Sequence, residues 1–154
     1  MSADGTPWLD DRQQQAWRAW LAMGSRLPAA LNRQLQRDSD LSLQDFDVLV
    51  QLTDVADGRV RVSALAAALG WERSRLSHHV TRMERRGLVA REECGDDGRG
   101  AFVVLTPEGR AAIEAAAPGH VRTVRSLVFD ALTPAEVASL EAITSKVLGR
   151  LEDA

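Results

Sequence analysis

Between Arg61 and Arg110 the chain strings a short apolar segment, a glycine turn, a basic segment and a charged hairpin into one continuous pattern, and that order leaves few folds open. The turn falls at Leu69-Gly70-Trp71, where Gly70 supplies the positive φ that a tight link between two helices demands. Upstream, Leu65, Ala66 and Leu69 recur at helical spacing, with Ser63 as the expected N-cap. Downstream, Leu76, Val80 and Met83 make one apolar stripe on a second helix that Gly87 ends. Two strand-like runs follow, Leu88 to Cys94 and Ala101 to Leu105. They bracket Gly95-Asp96-Asp97-Gly98-Arg99-Gly100, a composition suited to a hairpin turn. Helix, turn, helix and hairpin in this order read as a winged helix-turn-helix.

Helical placement at about 100° per residue, with the apolar stripe inward, leaves Ser74, His78, Thr81 and Arg85 on the outer face of the second helix. Arg75 and Arg82 flank that face, and His79 turns toward the buried side. A polar, cationic outer face offers donors to phosphates and base edges, although a merely solvated helix carries similar residues. The hairpin adds weight to the first reading. Arg99 sits between two glycines, where a guanidinium can enter a narrow minor groove, and Asp97 can hold it by a charge-assisted hydrogen bond. The expected major-groove set is therefore Ser74, Arg75, Ser77, His78, Thr81 and Arg82, with Arg85 beside them. Asp97 and Arg99 form the minor-groove contact. Arg82 and Arg85 are equally suited to phosphate.

The whole chain of 154 residues carries a formal charge of −3, which is unexpected for a nucleic-acid binder. Its distribution resolves the conflict. From Arg59 to Arg110 ten arginines face seven acidic residues, a local charge of +3 that leaves −6 for the rest. A cationic unit on an acidic body confines attraction to one surface.

The flanking segments are predicted to be helical. Leu9 to about Gln36 carries Trp17, Trp20, Leu21, Leu27, Leu31 and Leu35, with Pro28 expected to kink or break the helix. Ser42 is the predicted N-cap of a helix through Phe46, Leu49, Val50 and Leu52, ending near Asp57-Gly58. Arg59-Val60-Arg61 is then a short strand able to pair with the hairpin. A long helix begins at Thr106-Pro107 and is expected to bend or split at Pro118-Gly119. Thr133-Pro134-Ala135-Glu136 opens the last helix with a capping box, and Val137, Leu140, Ile143, Val147 and Leu151 line one face. These terminal helices offer more apolar surface than a small lobe can cover, so burial against a second copy is expected.

Other chemistries are poorly served. There is no apolar run approaching the roughly 20 residues of a membrane span, and Asp4, Asp10 and Asp11 stand where a secretory signal would be basic. One cysteine cannot form an internal disulfide, which makes a cytoplasmic location the expectation. No nucleophile, base or metal constellation points to an enzyme, and no cofactor or metal site is expected. His78 and His79 are adjacent and diverge on a helix, and His120 is isolated.

The segments Leu43-Gln44-Asp45-Phe46-Asp47-Val48-Leu49, Ser63-Ala64-Leu65-Ala66 and Arg82-Met83-Glu84-Arg85-Arg86-Gly87-Leu88-Val89-Ala90-Arg91 resemble, in order and spacing, the MarR family of winged-helix regulators. Asp97-Gly98-Arg99 and Leu105-Thr106-Pro107-Glu108-Gly109 complete the resemblance, and the Asp-x-Arg wing followed by Leu-Thr-x-x-Gly is its most specific part. Met83 stands where leucine is usual, and arginines replace common lysines. The resemblance implies a mainly α fold with a small β wing: a winged helix-turn-helix lobe over 39–105 and a helical dimerisation region over 1–38 and 106–154. It implies a homodimer that binds double-stranded operator DNA as a repressor. It also implies a small aromatic or phenolic effector between the dimer helices and the lobe, for which Trp17, Trp20 and Met23 are the expected lining, with Arg18 or Arg26 pairing an anion. Two alternatives remain open: a nonspecific architectural DNA binder, and a redox regulator acting through Cys94, whose position in the wing differs from the first-helix cysteine of oxidant-sensing relatives.

Overall fold

The computed structural model describes residues 5–93 and 100–154. Its elements run α1 (Asp11–Asp38), α2 (Leu43–Thr53), β1 (Arg59–Arg61), α3 (Val62–Leu69), α4 (Arg73–Arg85), β2 (Val89–Glu93), β3 (Ala101–Leu105), α5 (Pro107–Leu127), a 3-10 turn (Phe129–Ala131) and α6 (Pro134–Glu152). The strands form one antiparallel sheet of order β1-β3-β2. Val60 pairs with Val103, and Arg91 pairs with the same residue from the other side. The short strand at Arg59-Val60-Arg61 thus closes the hairpin on its far edge, as its sequence suggests.

Most helix starts follow from local chemistry. Ser42 accepts a hydrogen bond from the Asp45 amide while the Asp45 carboxylate takes the Ser42 amide, and Thr133 and Glu136 make the same reciprocal pair on α6. Asp10 and Gln13 cap α1 in this way as well. Gly70 ends α3 in the left-handed conformation, with the Trp71 amide bonded to the Ala66 carbonyl and the Gly70 amide to that of Ala67. Gly87 ends α4 by the same pair of bonds, Leu88 to Met83 and Gly87 to Glu84.

Three expectations need correction. Ser63 is not an N-cap: β1 runs straight into α3, Arg61 occupies the cap position, and no side chain bonds to the first turn. Of the kink or break expected at Pro28 and the bend or split expected at Pro118, the break and the split do not occur, since α1 and α5 run continuously through both prolines. Each proline removes the amide that would serve the carbonyl four residues earlier, at Gly24 and Glu114. Both prolines and both of those residues are exposed, so water can take the freed carbonyl.

The core sits inside the lobe. Leu49, Leu52, Leu65, Leu76, Val80, Met83, Val89 and Val103 are all buried, and Leu35, Ile113 and Ala116 carry α1 and α5 onto the same cluster. Burial of each large side chain contributes roughly 1.5 to 3 kcal/mol. The outer helices are different. Trp17, Leu21 and Met23 on α1, Val121 and Leu127 on α5, and Ile143, Leu148 and Leu151 on α6 are each about half exposed or more, and α6 buries no residue.

Two contacts fix the lobe's internal geometry. At the first, Thr106 caps α5: its hydroxyl accepts from the Gly109 amide at 2.9 Å and donates to the Gly87 carbonyl at 2.6 Å. Gly109 lies so close to the link between α4 and β2 that a Cβ there would fall 2.0 Å from the Leu88 carbonyl oxygen. At the second, the Asp45 carboxylate, 2% exposed, receives Arg86 at 2.7 Å and lies 2.9 Å from His79 Nε2. Arg86 also donates to the Asp40 carbonyl. Burial opposes ionisation of Asp45, but the His79 and Arg86 contacts and the Ser42 amide outweigh it and hold the carboxyl well below the usual carboxylate range.

Both contacts predict measurable losses. Gly109→Ala must push α5 off the link between α4 and β2 and should cost about 1 to 3 kcal/mol or more in urea unfolding. An unchanged midpoint would contradict the close approach. Asp45→Asn should cost roughly 2 kcal/mol near neutral pH, less than a fully buried pair because Arg86 is 40% exposed. Because folding depresses this carboxyl's pKa, its stabilisation is complete above the unfolded value of about 4 and is lost as pH falls below it. The gap between wild type and Asp45→Asn should therefore close in acid unfolding curves.

Candidate nucleic-acid interface

Helix α4 buries Leu76, His79, Val80 and Met83 and turns the opposite side to solvent. Ser74, Arg75, His78, Arg82 and Arg85 are exposed, whereas Ser77 and Thr81 are half-buried. The structure thus brings all seven of the expected helix residues to one side of the lobe, but in different states. Among the described residues, Ser74, His78 and Arg85 make no side-chain hydrogen bond or ion pair. Arg75 stacks over Trp71, with its guanidinium carbon 4.5 Å from the ring centroid. That contact limits the rotamers of a long side chain and lowers the entropy lost on docking.

Arg82 is held from beneath. Its Nη2 donates to His79 Nδ1 at 3.0 Å. A guanidinium has no acceptor, so Nδ1 carries no proton, and the remaining ring hydrogen lies on Nε2, facing Asp45. His79 is 8% exposed, as its helical placement predicts, and its ring also meets Trp71 edge-on at 5.5 Å. Asp45, His79 and Arg82 form a relay from the start of α2 to the outer face of α4.

Ser77 and Thr81 are engaged by a residue that sequence reasoning passed over. Arg91, on β2, donates from Nη1 to Thr81 Oγ1 at 2.9 Å, and from Nη2 to Ser77 Oγ at 3.0 Å and to the Ser77 carbonyl. Its own amide donates to Glu84 Oε2 at 3.0 Å. An arginine in a strand three residues beyond a buried Leu88 was the only sequence signal, and it does not name its partners.

At the root of the wing, Arg59 and Arg61 flank the Phe102 ring at 4.0 and 5.0 Å, and Arg59 pairs with Glu92 at 3.0 Å. Asp97 and Arg99, together with Cys94, lie outside the described residues.

The expected effector residues are not gathered in one cavity of the single chain. Met23 and Arg26 line an apolar groove of about 630 Å³ against α6 and the 3-10 turn, Trp17 and Arg18 line a smaller one of about 230 Å³ near Trp8, and Trp20 lines neither. A larger cleft of about 800 Å³ opens between the α1–α2 link and α4, bordered by Asp40, Trp71, Arg75, His79, Arg82 and Arg86. His120 packs on Phe46 with ring centroids 4.3 Å apart. Burial lowers its pKa, with Asp47 opposing the shift. Among the described residues no three His, Cys, Asp or Glu side chains converge as a metal site would require, and no helix is long and apolar enough to cross a membrane.

Residues 39–100 match the model of the MarR family. The chain is 30% identical over 107 residues to the transcriptional repressor MprA of Escherichia coli, a match that takes in 70% of this chain and 60% of that repressor's length. Two crystal structures from Streptomyces coelicolor are similar along nearly their whole length. AbsC, a MarR family transcriptional regulator, is 38% identical with a TM-score of 0.90, covering 97% of this chain and 100% of AbsC. Sco3205, a MarR family transcriptional regulator in complex with DNA, is 41% identical with a TM-score of 0.89, covering 94% and 91%. With its fold matched end to end and its lobe matched by the family model, the chain belongs to the MarR family of winged-helix transcription regulators.

Proposed function

We propose that this chain is a sequence-specific double-stranded DNA-binding repressor that acts as a homodimer. The observation that carries the reading is the outer side of α4, where Ser74, Arg75, His78, Arg82 and Arg85 stand exposed and the first two arginine-bearing turns are braced by Trp71 and His79. The complex of the similar Sco3205 with DNA supports it. In this reading residues 39–105 form the DNA-binding region, α4 enters the major groove, and Arg99, steadied by Asp97, enters the minor groove. The local charge of +3 between Arg59 and Arg110 directs approach.

Residues 1–38 and 106–154 form the dimerisation region. The exposed apolar side chains of α1, α5 and α6 are too many and too contiguous for a monomer's surface, and a second copy covers them. A two-fold axis then sets two α4 helices to a pseudo-palindrome with half-sites about 34 Å apart. The wells flanked by Met23 and Trp17 lie on these same helices, so an aromatic effector that changes the lobe spacing would bind where the second copy completes them.

Arg75→Ala, Arg82→Ala and Arg99→Ala should each weaken operator binding, and a bidentate base contact should cost about 1 to 3 kcal/mol at one base pair only. Gel-shift titration over single-base operator variants at fixed salt reads this out. Loss that is uniform over sequence assigns the residue to phosphate, and full binding by all three variants would refute the interface. Sedimentation should show a dimer that Ile143→Glu with Val147→Glu converts to monomer. Titration with phenolic acids should shift tryptophan emission and operator affinity together if an effector exists.

A further inference from the structure

We infer that Arg91 is a positioning residue that biases the hydrogen-bond polarity of the reading helix, favouring Ser77 as a donor toward an acceptor on a base edge; this rests on the DNA-binding reading above. The geometry is a single guanidinium spread across one turn of α4. It gives hydrogen bonds to the Ser77 carbonyl, to Ser77 Oγ at 3.0 Å and to Thr81 Oγ1 at 2.9 Å. Arginine carries five donors and no acceptor, so both hydroxyl oxygens must accept from it. Their protons are then forced elsewhere.

For Thr81 the destination is fixed, because its hydroxyl donates to the Ser77 carbonyl at 3.0 Å. Thr81 has its proton spent and one lone pair filled. Ser77 differs: Arg91 fills one of its two lone pairs, and among the described residues no acceptor takes its proton. Left to itself a serine hydroxyl rotates and serves as donor or acceptor as its neighbour requires. Held by Arg91, it keeps its proton turned away from the guanidinium and has one lone pair fewer to offer, so donation is favoured over acceptance. Guanine O6 and N7, adenine N7 and thymine O4 accept in the major groove, whereas cytosine N4 and adenine N6 only donate. A hydroxyl biased toward donation therefore favours accepting edges that a freely rotating one would not single out.

Arg91 is itself kept in place from a second side. Its amide donates to Glu84 on α4, and its strand pairs with β3 at Val103 in the core. The positioning group belongs to the sheet, and the groups it polarises belong to the helix.

The test uses the full-length protein, an operator obtained by in vitro selection, its single-base variants and a random duplex at one salt concentration. Arg91→Met keeps the aliphatic stem and removes the donors. It should lower the operator-to-random ratio about tenfold, with the loss concentrated at the base pair where Ser77→Ala also acts, and Arg91→Lys should recover part of it. In a Ser77→Ala background Arg91→Met should add less than about twofold, because the two act as one unit. Circular dichroism checks folding, and if Arg91→Met does not fold, Arg91→Lys with and without Ser77→Ala serves the same comparison. Fully additive losses, or a loss uniform across base variants, would overturn the inference while leaving DNA binding intact. A wild-type protein with no operator preference would instead overturn the DNA-binding reading on which it rests.

Discussion

The buried carboxylate of Asp45 is the constraint around which the lobe is arranged. It closes the capping box of α2, receives Arg86 from the end of α4 and faces His79 from its middle. A charge in that position is costly unless it is fully partnered, so α2 and α4 can pack in only one relative setting without exposing or orphaning it. Leu49, Leu52, Leu76 and Val80 of the two helices share one buried cluster. Packing of that kind tolerates small slides. The ionic cluster narrows that tolerance.

A second division of labour runs through the molecule. The lobe is a closed core, and the face of α4 that it turns to solvent is polar and basic. The outer helices invert that arrangement, keeping their caps in order while leaving apolar side chains in water. Local propensity and capping make α6 a helix, since it buries nothing within the chain. Its stability in isolation would be marginal.

Much of this was legible in the sequence, wherever the determining chemistry is local. Gly70 and Gly87 announce the ends of α3 and α4 because only a residue free of Cβ strain adopts those dihedrals cheaply. Ser42, Thr106 and Thr133 announce starts because their partners lie three residues on. Ser63 misled because it has the cap's chemistry without its place, β1 having already delivered the chain in extended form at Arg61. Pro28 and Pro118 misled because the cost of a lost amide depends on whether water reaches the freed carbonyl, which is a tertiary fact. Of the interface, the helical period correctly sorted His79 inward and Arg75, His78 and Arg85 outward. It missed that Ser77 and Thr81 are bound to Arg91, and that Asp45 and Arg86 meet across 41 residues, since no spacing rule encodes contacts between a strand or a distant helix and this one.

The seam at Gly109 has a mechanical consequence. With no side chain between them, the first turn of α5 meets the backbone of the link from α4 to β2, and Thr106 stitches the joint to Gly87. The helix is therefore hinged on the lobe without a cushion of side chains. Its 21 residues span about 31 Å from that joint. A tilt of roughly 10° about the joint displaces the far end of an arm of about that length by some 5 Å. A small change of angle at the lobe thus becomes a large displacement among the outer helices.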